Sequence, residues 1–235
     1  MHHVLMDQWS QGSSPLHARD PRAKILALLV FLIVLATTAP NAFSALVIDA
    51  AVLLAGILIA GLPPISLLMR AAVVLPFSLA FGLISWLAGD RLRALGLVEK
   101  SYLSTVAVLL VVGTTPLPLL LSGLEALGTP RLLALVAQFI YRYLFVVSEQ
   151  AQHLRLAAAC RQGRERQRRL GFRAAAGALA VLFARSYYRA EGIHRAMMAR
   201  AFSGKFALFR RLQFRLSDGF FTLAVTAFLI LVRIQ

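Results

Sequence analysis

The chain has 235 residues, 59% of them hydrophobic, and a mean hydropathy of +0.74, whereas soluble domains run at about 45–50% apolar. Lys and Arg number 25 against 10 Asp and Glu, a net charge of +15; set between long apolar runs, these cations read as the positive-inside bias of a membrane protein and argue against nucleic acid as the partner. The single cysteine, Cys160, excludes an intramolecular disulfide and reads as a small residue among alanines.

Met1 to Lys24 is a polar leader with no cleavable signal peptide, since the first apolar run begins only at Ile25. Its second and third residues, His2 and His3, follow a free amino terminus. That arrangement can wrap a square-planar divalent metal, although a two-histidine leader more often has no such role. Asp20 and Pro21 supply a helix cap and a first-turn proline. The cations Arg19, Arg22 and Lys24 place this end in the cytoplasm. Ile25 to Ala39 is a first span, short enough that flanking residues must complete it; the alternative is that it does not cross. Phe43 to Gly61 is a second span containing Asp49, an acid whose place is either functional or near the outer interface. Pro63-Pro64 breaks the chain. The third span runs from about Ala71 to Ala88 with a kink expected at Pro76. Asp90 to Lys100 reads as a polar loop, and the fourth span runs from about Tyr102 to Leu121, its last turns disturbed by Pro116 and Pro118.

Charge decides the next segment. Residues 150–216 hold fifteen Lys and Arg and only two acids, Glu165 and Glu191, so they belong on the same side as Arg19, Arg22 and Lys24. An even number of crossings must separate the two regions. With four assigned, Leu132–Val147 should be a buried or partly inserted helix that does not cross fully. A long helix is expected from Arg131 to about Arg161, with a polar lower half that includes Glu149, and a second from about Ala174 to Ala201. On the second, Leu179, Leu182, Phe183, Ser186, Tyr187, Ala190, Ile193 and Met197 fall at three-and-four spacing and form one stripe. Glu191 and Arg195 form an i,i+4 pair, Glu149 and Glu191 read equally as intramolecular ion-pair partners for the arginine-rich stretch or as functional acids, and Met197 and Met198 read as packing residues. Phe220 to Val232 is the last span.

Two short stretches echo one another. Ala158-Ala159-Cys160-Arg161-Gln162-Gly163 and Met198-Ala199-Arg200-Ala201-Phe202-Ser203-Gly204 each end a long helical pattern with one arginine among small residues before a glycine. A helix C-terminus is partly negative and favours the cation, and a glycine beyond it can take the left-handed cap. Both read as helix tips that present an arginine to a partner. No phosphate-binding glycine loop, no nucleophile with an acid–base pair and no Cys/His metal cluster stands out in the sequence.

Taken together these segments resemble the transmembrane component of energy-coupling-factor transporters, most nearly its cobalt/nickel branch, the CbiQ type. The resemblance is carried by Ser14-Pro15-Leu16-His17 with Asp20-Pro21-Arg22-Ala23-Lys24, by Arg142-Tyr143-Leu144-Phe145 with Glu149, and above all by Arg185-Ser186-Tyr187 with Arg189-Ala190-Glu191, followed by Ala196-Met197-Met198-Ala199-Arg200-Ala201-Phe202-Ser203-Gly204. Ala201 stands where that pattern usually has glycine, and Cys160 and Gln162 replace the usual small neighbours of the first arginine.

The resemblance implies an all-α integral membrane protein of about five transmembrane helices, with a cytoplasmic coupling region of long helices inserted before the last span. It divides the chain into a leader (1–24), a four-helix transmembrane part (25–122), coupling helices (123–214) and a last helix (215–235). It implies no enzyme and no cofactor on this chain. Two cytoplasmic ATPase subunits would hold ATP and magnesium, and a membrane subunit of the CbiM type would hold cobalt or nickel, with or without a small accessory membrane subunit. Cys160, Arg161, Gln162 and Gly163 would dock one ATPase subunit, and Ala199, Arg200, Ala201 and Gly204 the other. The setting is the lipid bilayer of a bacterial inner membrane with the N-terminus cytoplasmic. A nickel or vitamin (biotin-like) cargo, and more remotely a membrane enzyme acting on lipid headgroups, are the competing readings.

Overall fold

The computed structural model describes residues 9, 10, 12, 14–39, 43–162, 168–202 and 216–234, and every regular element among them is a helix. Two units are described separately: residues 1–129 with 210–235, and residues 130–209.

In the first unit, α1 spans Pro21–Thr37 and begins as its sequence demands. Pro21 occupies the first turn and the buried Asp20 caps it, accepting a hydrogen bond from the Arg22 N–H at 2.9 Å. Helix α2 spans Phe43–Ala60. The third apolar segment starts earlier than the sequence suggests, at Pro64, and holds α3 (Pro64–Ala71), a 3-10 turn (Ala72–Val74) and α4 (Leu75–Leu87). Pro76 explains the turn. Its ring removes the N–H that would reach the Ala72 carbonyl, and the Leu75 N–H takes that carbonyl instead.

Two expectations need correction. Asp90 to Lys100 is not a loop, because α5 runs unbroken over Arg91–Gly113. Most residues of this stretch are good helix formers, and its first turns pack on α4: Ala94 and Gly96 are buried, and a β-carbon at Gly82 would stand 3.0 Å from Val98 Cγ2. The charges stay on the outside, with Arg91 over the Trp86 ring and Arg93 paired to Asp90 at 3.1 Å. Nor does the fourth span reach Leu121. It stops at Thr114, and Pro116 begins a separate short helix, α6 (Leu117–Ala126). The last helix of this unit, α9, spans Leu216–Ile234.

The core lies among α1, α2, α3, α5 and α9, built from Phe31, Leu35, Leu53, Ile57, Leu67, Val106 and Leu229. The leader packs onto it through Trp9, whose ring lies under the Arg70 guanidinium at 4.5 Å and whose carbonyl accepts from His17 Nε2 at 2.8 Å. Asp49 is buried inside this unit. It is 2% exposed, on the α2 face that carries Leu46 and Leu53. Large apolar side chains elsewhere on this unit, such as Val73, Phe77, Ile84 and Leu87, are open, as a lipid-facing surface requires.

The second unit consists of α7 (Arg131–Gln162) and α8 (Arg168–Ala199), each of 32 residues, which touch along a limited stretch.

Candidate coupling site

Arg161 lies in the last turn of α7, exposed, beside the exposed thiol of Cys160. The helix continues through Gln162, and Gly163 lies outside the described residues. An arginine in this turn meets the partial negative charge of the helix end, so the position favours the helix.

The end of α8 is more fully drawn. Ala199 is its last helical residue and Arg200, exposed, is its C-cap. The Ala201 N–H reaches back to the Met198 carbonyl at 3.1 Å and the Phe202 N–H to the Met197 carbonyl at 3.0 Å. This pair of bonds is the Schellman arrangement, which needs a left-handed residue just past the helix. Ala201 supplies it at φ 52°, the one non-glycine residue with positive φ among the described residues. The same pair of bonds ends α2, α4 and α6, where Gly61, Gly89 and Gly128 take the left-handed position. The expected role of Gly204 as the cap is therefore corrected: the chain turns three residues sooner, at Ala201, and Gly204 lies outside the described residues. The backbone turn isolates Arg200 at the extreme tip of α8.

The supporting acids are placed as follows. Glu191 pairs with Arg195 one turn on. Glu149 has His153 as its basic neighbour, 3.8 Å away, and not an arginine. The apolar stripe of α8 divides: Leu182, Ser186, Ile193 and Met197 are half-buried, while Leu179, Phe183 and Tyr187 stand beside them, exposed. Met198 is exposed too, so only Met197 packs as expected. Among the described residues no three His, Cys, Asp or Glu side chains gather as a metal site; His2 and His3 lie outside them.

Sequence reasoning missed a second cluster, at the base of α1. Lys24 is 3% exposed, and its Nζ donates to the Thr114 carbonyl at 3.0 Å and to Thr115 Oγ1 at 2.8 Å. The signal was present: Lys24 shares a helical face with Leu28, Phe31 and Leu35, the core face of α1. Its place among Arg19 and Arg22 reads only as a marker of sidedness and does not report this burial. Asp218, at the start of α9, is also buried and meets Arg19 at 3.5 Å, with Phe221 near the same guanidinium.

A protein-family model described as cobalt transport protein, CbiQ, matches residues 12–208. The chain belongs to the CbiQ family. Residues 12–208 take in the second half of the leader, the α1–α6 part and both arginine tips of this CbiQ protein. It is also similar to the energy-coupling factor transporter transmembrane protein EcfT of Thermosediminibacter oceani, at 27% identity over 93% of this chain and 92% of that protein. The EcfT of Bacillus selenitireducens is likewise 27% identical, over 86% of this chain and 84% of the relative. The family and the several apolar helices make it a multi-pass membrane protein.

Proposed function

We propose that this CbiQ-family protein is the energy-coupling transmembrane subunit of an ATP-driven cobalt uptake transporter. ATP and magnesium sit on two cytoplasmic ATPase partners, cobalt sits on a separate CbiM-type membrane subunit, and this chain transmits motion from the first to the second without catalysing a reaction. The relatives' shared description as transmembrane proteins of energy-coupling factor transporters supports the role, and the family description supports the cargo.

The observation that carries the reading is the pair of exposed arginines, Arg161 and Arg200, each at the C-terminal end of a 32-residue helix. Helix α8 alone is about 48 Å long at 1.5 Å per residue, so its tip and the tip of α7 are far enough apart to serve two partners. A guanidinium suits the task, because its planar fork can grip carboxylates and helix-end carbonyls in fixed geometry.

Sidedness supports the same reading. Lys24 at the start of α1 meets Thr114 at the end of α5, and Arg19 meets Asp218 at the start of α9. These three helix ends therefore lie at one level, and the chain between Thr114 and Asp218 crosses the bilayer an even number of times. Helix α7 is long and apolar enough to cross. A crossing by α7 would force α8 to cross back, and α8 carries Arg185, Arg189 and Arg195 along its length, at a cost of about 2.5–3.5 kcal/mol for each arginine at the bilayer centre. Both helices accordingly stay on the side of the leader, which its cations mark as cytoplasmic.

The test is co-purification. Arg161→Glu with Arg200→Glu should abolish recovery of the ATPase pair, each truncation alone costing on the order of 2–4 kcal/mol if the arginines are interface anchors. Uptake of radiolabelled cobalt, nickel and biotin by the full complex separates the cargoes. An intact complex with full uptake in the double variant overturns the role.

A further inference from the structure

The coupling segment is tied to the membrane bundle at two places in the chain, and both ties land on one short stretch, Arg19 to Ile25. Going in, the chain passes through α6 before Pro130 begins the second unit. Helix α6 lies on the base of α1, where Gly123 permits close approach: a β-carbon there would stand 3.1 Å from Pro21 Cβ and 3.1 Å from Ile25 Cδ1. Coming out, the chain enters α9, whose buried Asp218 meets Arg19. The same stretch of α1 is fixed to α5 by Lys24, whose ammonium holds the last carbonyl of that helix and the Thr115 hydroxyl. A buried cation is retained only where its hydrogen bonds are made, and here they are made to the end of another span.

We propose that the segment Arg19 to Ile25 is the anchor through which displacement of the coupling segment enters the membrane bundle. Gly123 fastens the chain leading in, Asp218 fastens the chain leading out, and Lys24 passes the load to α5. Packed interfaces of this kind do not deform smoothly, so the anchor moves with α6 as one body. This inference rests on the coupling role proposed above and adds a location for the transfer of force. Lys24, Gly123 and Asp218 are positioning residues; none of them is at an arginine tip.

The experiment uses the full complex in proteoliposomes, with radiolabelled cobalt and nickel as probes and ATP hydrolysis followed in parallel. Gly123→Leu drives a wedge between α6 and α1, and Lys24→Met removes the tie to α5. Each should leave the ATPase pair bound and hydrolysing while uptake per ATP falls by about tenfold or more, and Lys24→Arg should recover part of it. Pro21→Cys with Gly123→Cys, in a Cys160→Ser background, allows the two helices to be locked by oxidation, and the locked protein should keep uptake within about twofold of its reduced form. Unchanged uptake per ATP in both Gly123→Leu and Lys24→Met overturns the inference, as does loss of uptake on locking. Should Gly123→Leu fail to assemble, the locked pair and Lys24→Met decide the matter. Failure of the unmodified complex to hold its ATPase pair would count against the coupling role itself, a result distinct from any of these.

Discussion

Replacing Ala201 with glycine should stabilise the tip of α8, and the size of the effect follows from its backbone. Ala201 sits at φ 52°, where a β-carbon costs about 1–2 kcal/mol. Glycine removes that cost but gives the unfolded chain more freedom, which offsets about 0.4–1 kcal/mol. The balance is a gain of about 0.5–1 kcal/mol, or a two- to fivefold change in the local opening equilibrium. The Phe202 N–H reports it directly, since it closes the turn on the Met197 carbonyl. Hydrogen exchange of that amide, corrected for the neighbouring side chain, should slow by this factor in Ala201→Gly. It should quicken well beyond the wild-type rate in Ala201→Val, because a β-branched residue is a stronger outlier at positive φ. Equal exchange in all three proteins would show that residue 201 is not left-handed and that the turn isolating Arg200 is built some other way.

Other consequences can be measured on the protein in detergent. Gly82→Leu puts a side chain where Val98 already lies, so thermal unfolding should fall by the equivalent of about 1–3 kcal/mol as α4 and α5 are forced apart. Asp218→Asn keeps the shape but removes the charge facing Arg19; a loss of about 1 kcal/mol is expected for this part-buried pair. Lys24→Met and Thr115→Val should not be additive, with a coupling of about 1–2 kcal/mol in a double-mutant cycle, because each alone strips a partner from the other. Additive values would mean that the bond between them contributes nothing.

The presence of the apolar helices and the two arginine tips was legible because both are local patterns. An apolar run declares a helix but not its ends, as the start at Pro64 and the stop at Thr114 show, and an arginine before a glycine at the end of a helical repeat declares a helix end. What escaped were relations between distant residues. Lys24 looks like any juxtamembrane cation until Thr114 is seen beside it, and no periodicity in α1 reports where α5 stops. The helical start of α5 was hidden because Arg91, Arg93, Glu99 and Lys100 read as a break in hydropathy. They are charged but are good helix formers, so polarity ended the apolar run without ending the helix. The cap of α8 was misplaced by two rules that pulled apart. Glycine is the usual left-handed residue, yet the turn closes on Ala201 because the backbone bonds of the Schellman arrangement fix the position, and the next glycine comes three residues too late.

The ties at the base of α1 also bear on how the protein is made. Lys24 emerges from the ribosome 90 residues before Thr114, and Arg19 emerges 199 residues before Asp218. Until those partners are synthesised, the Lys24 ammonium on nascent α1 has neither the Thr114 carbonyl nor the Thr115 hydroxyl to meet. The base of α1 is thus fixed only once segments translated much later have arrived.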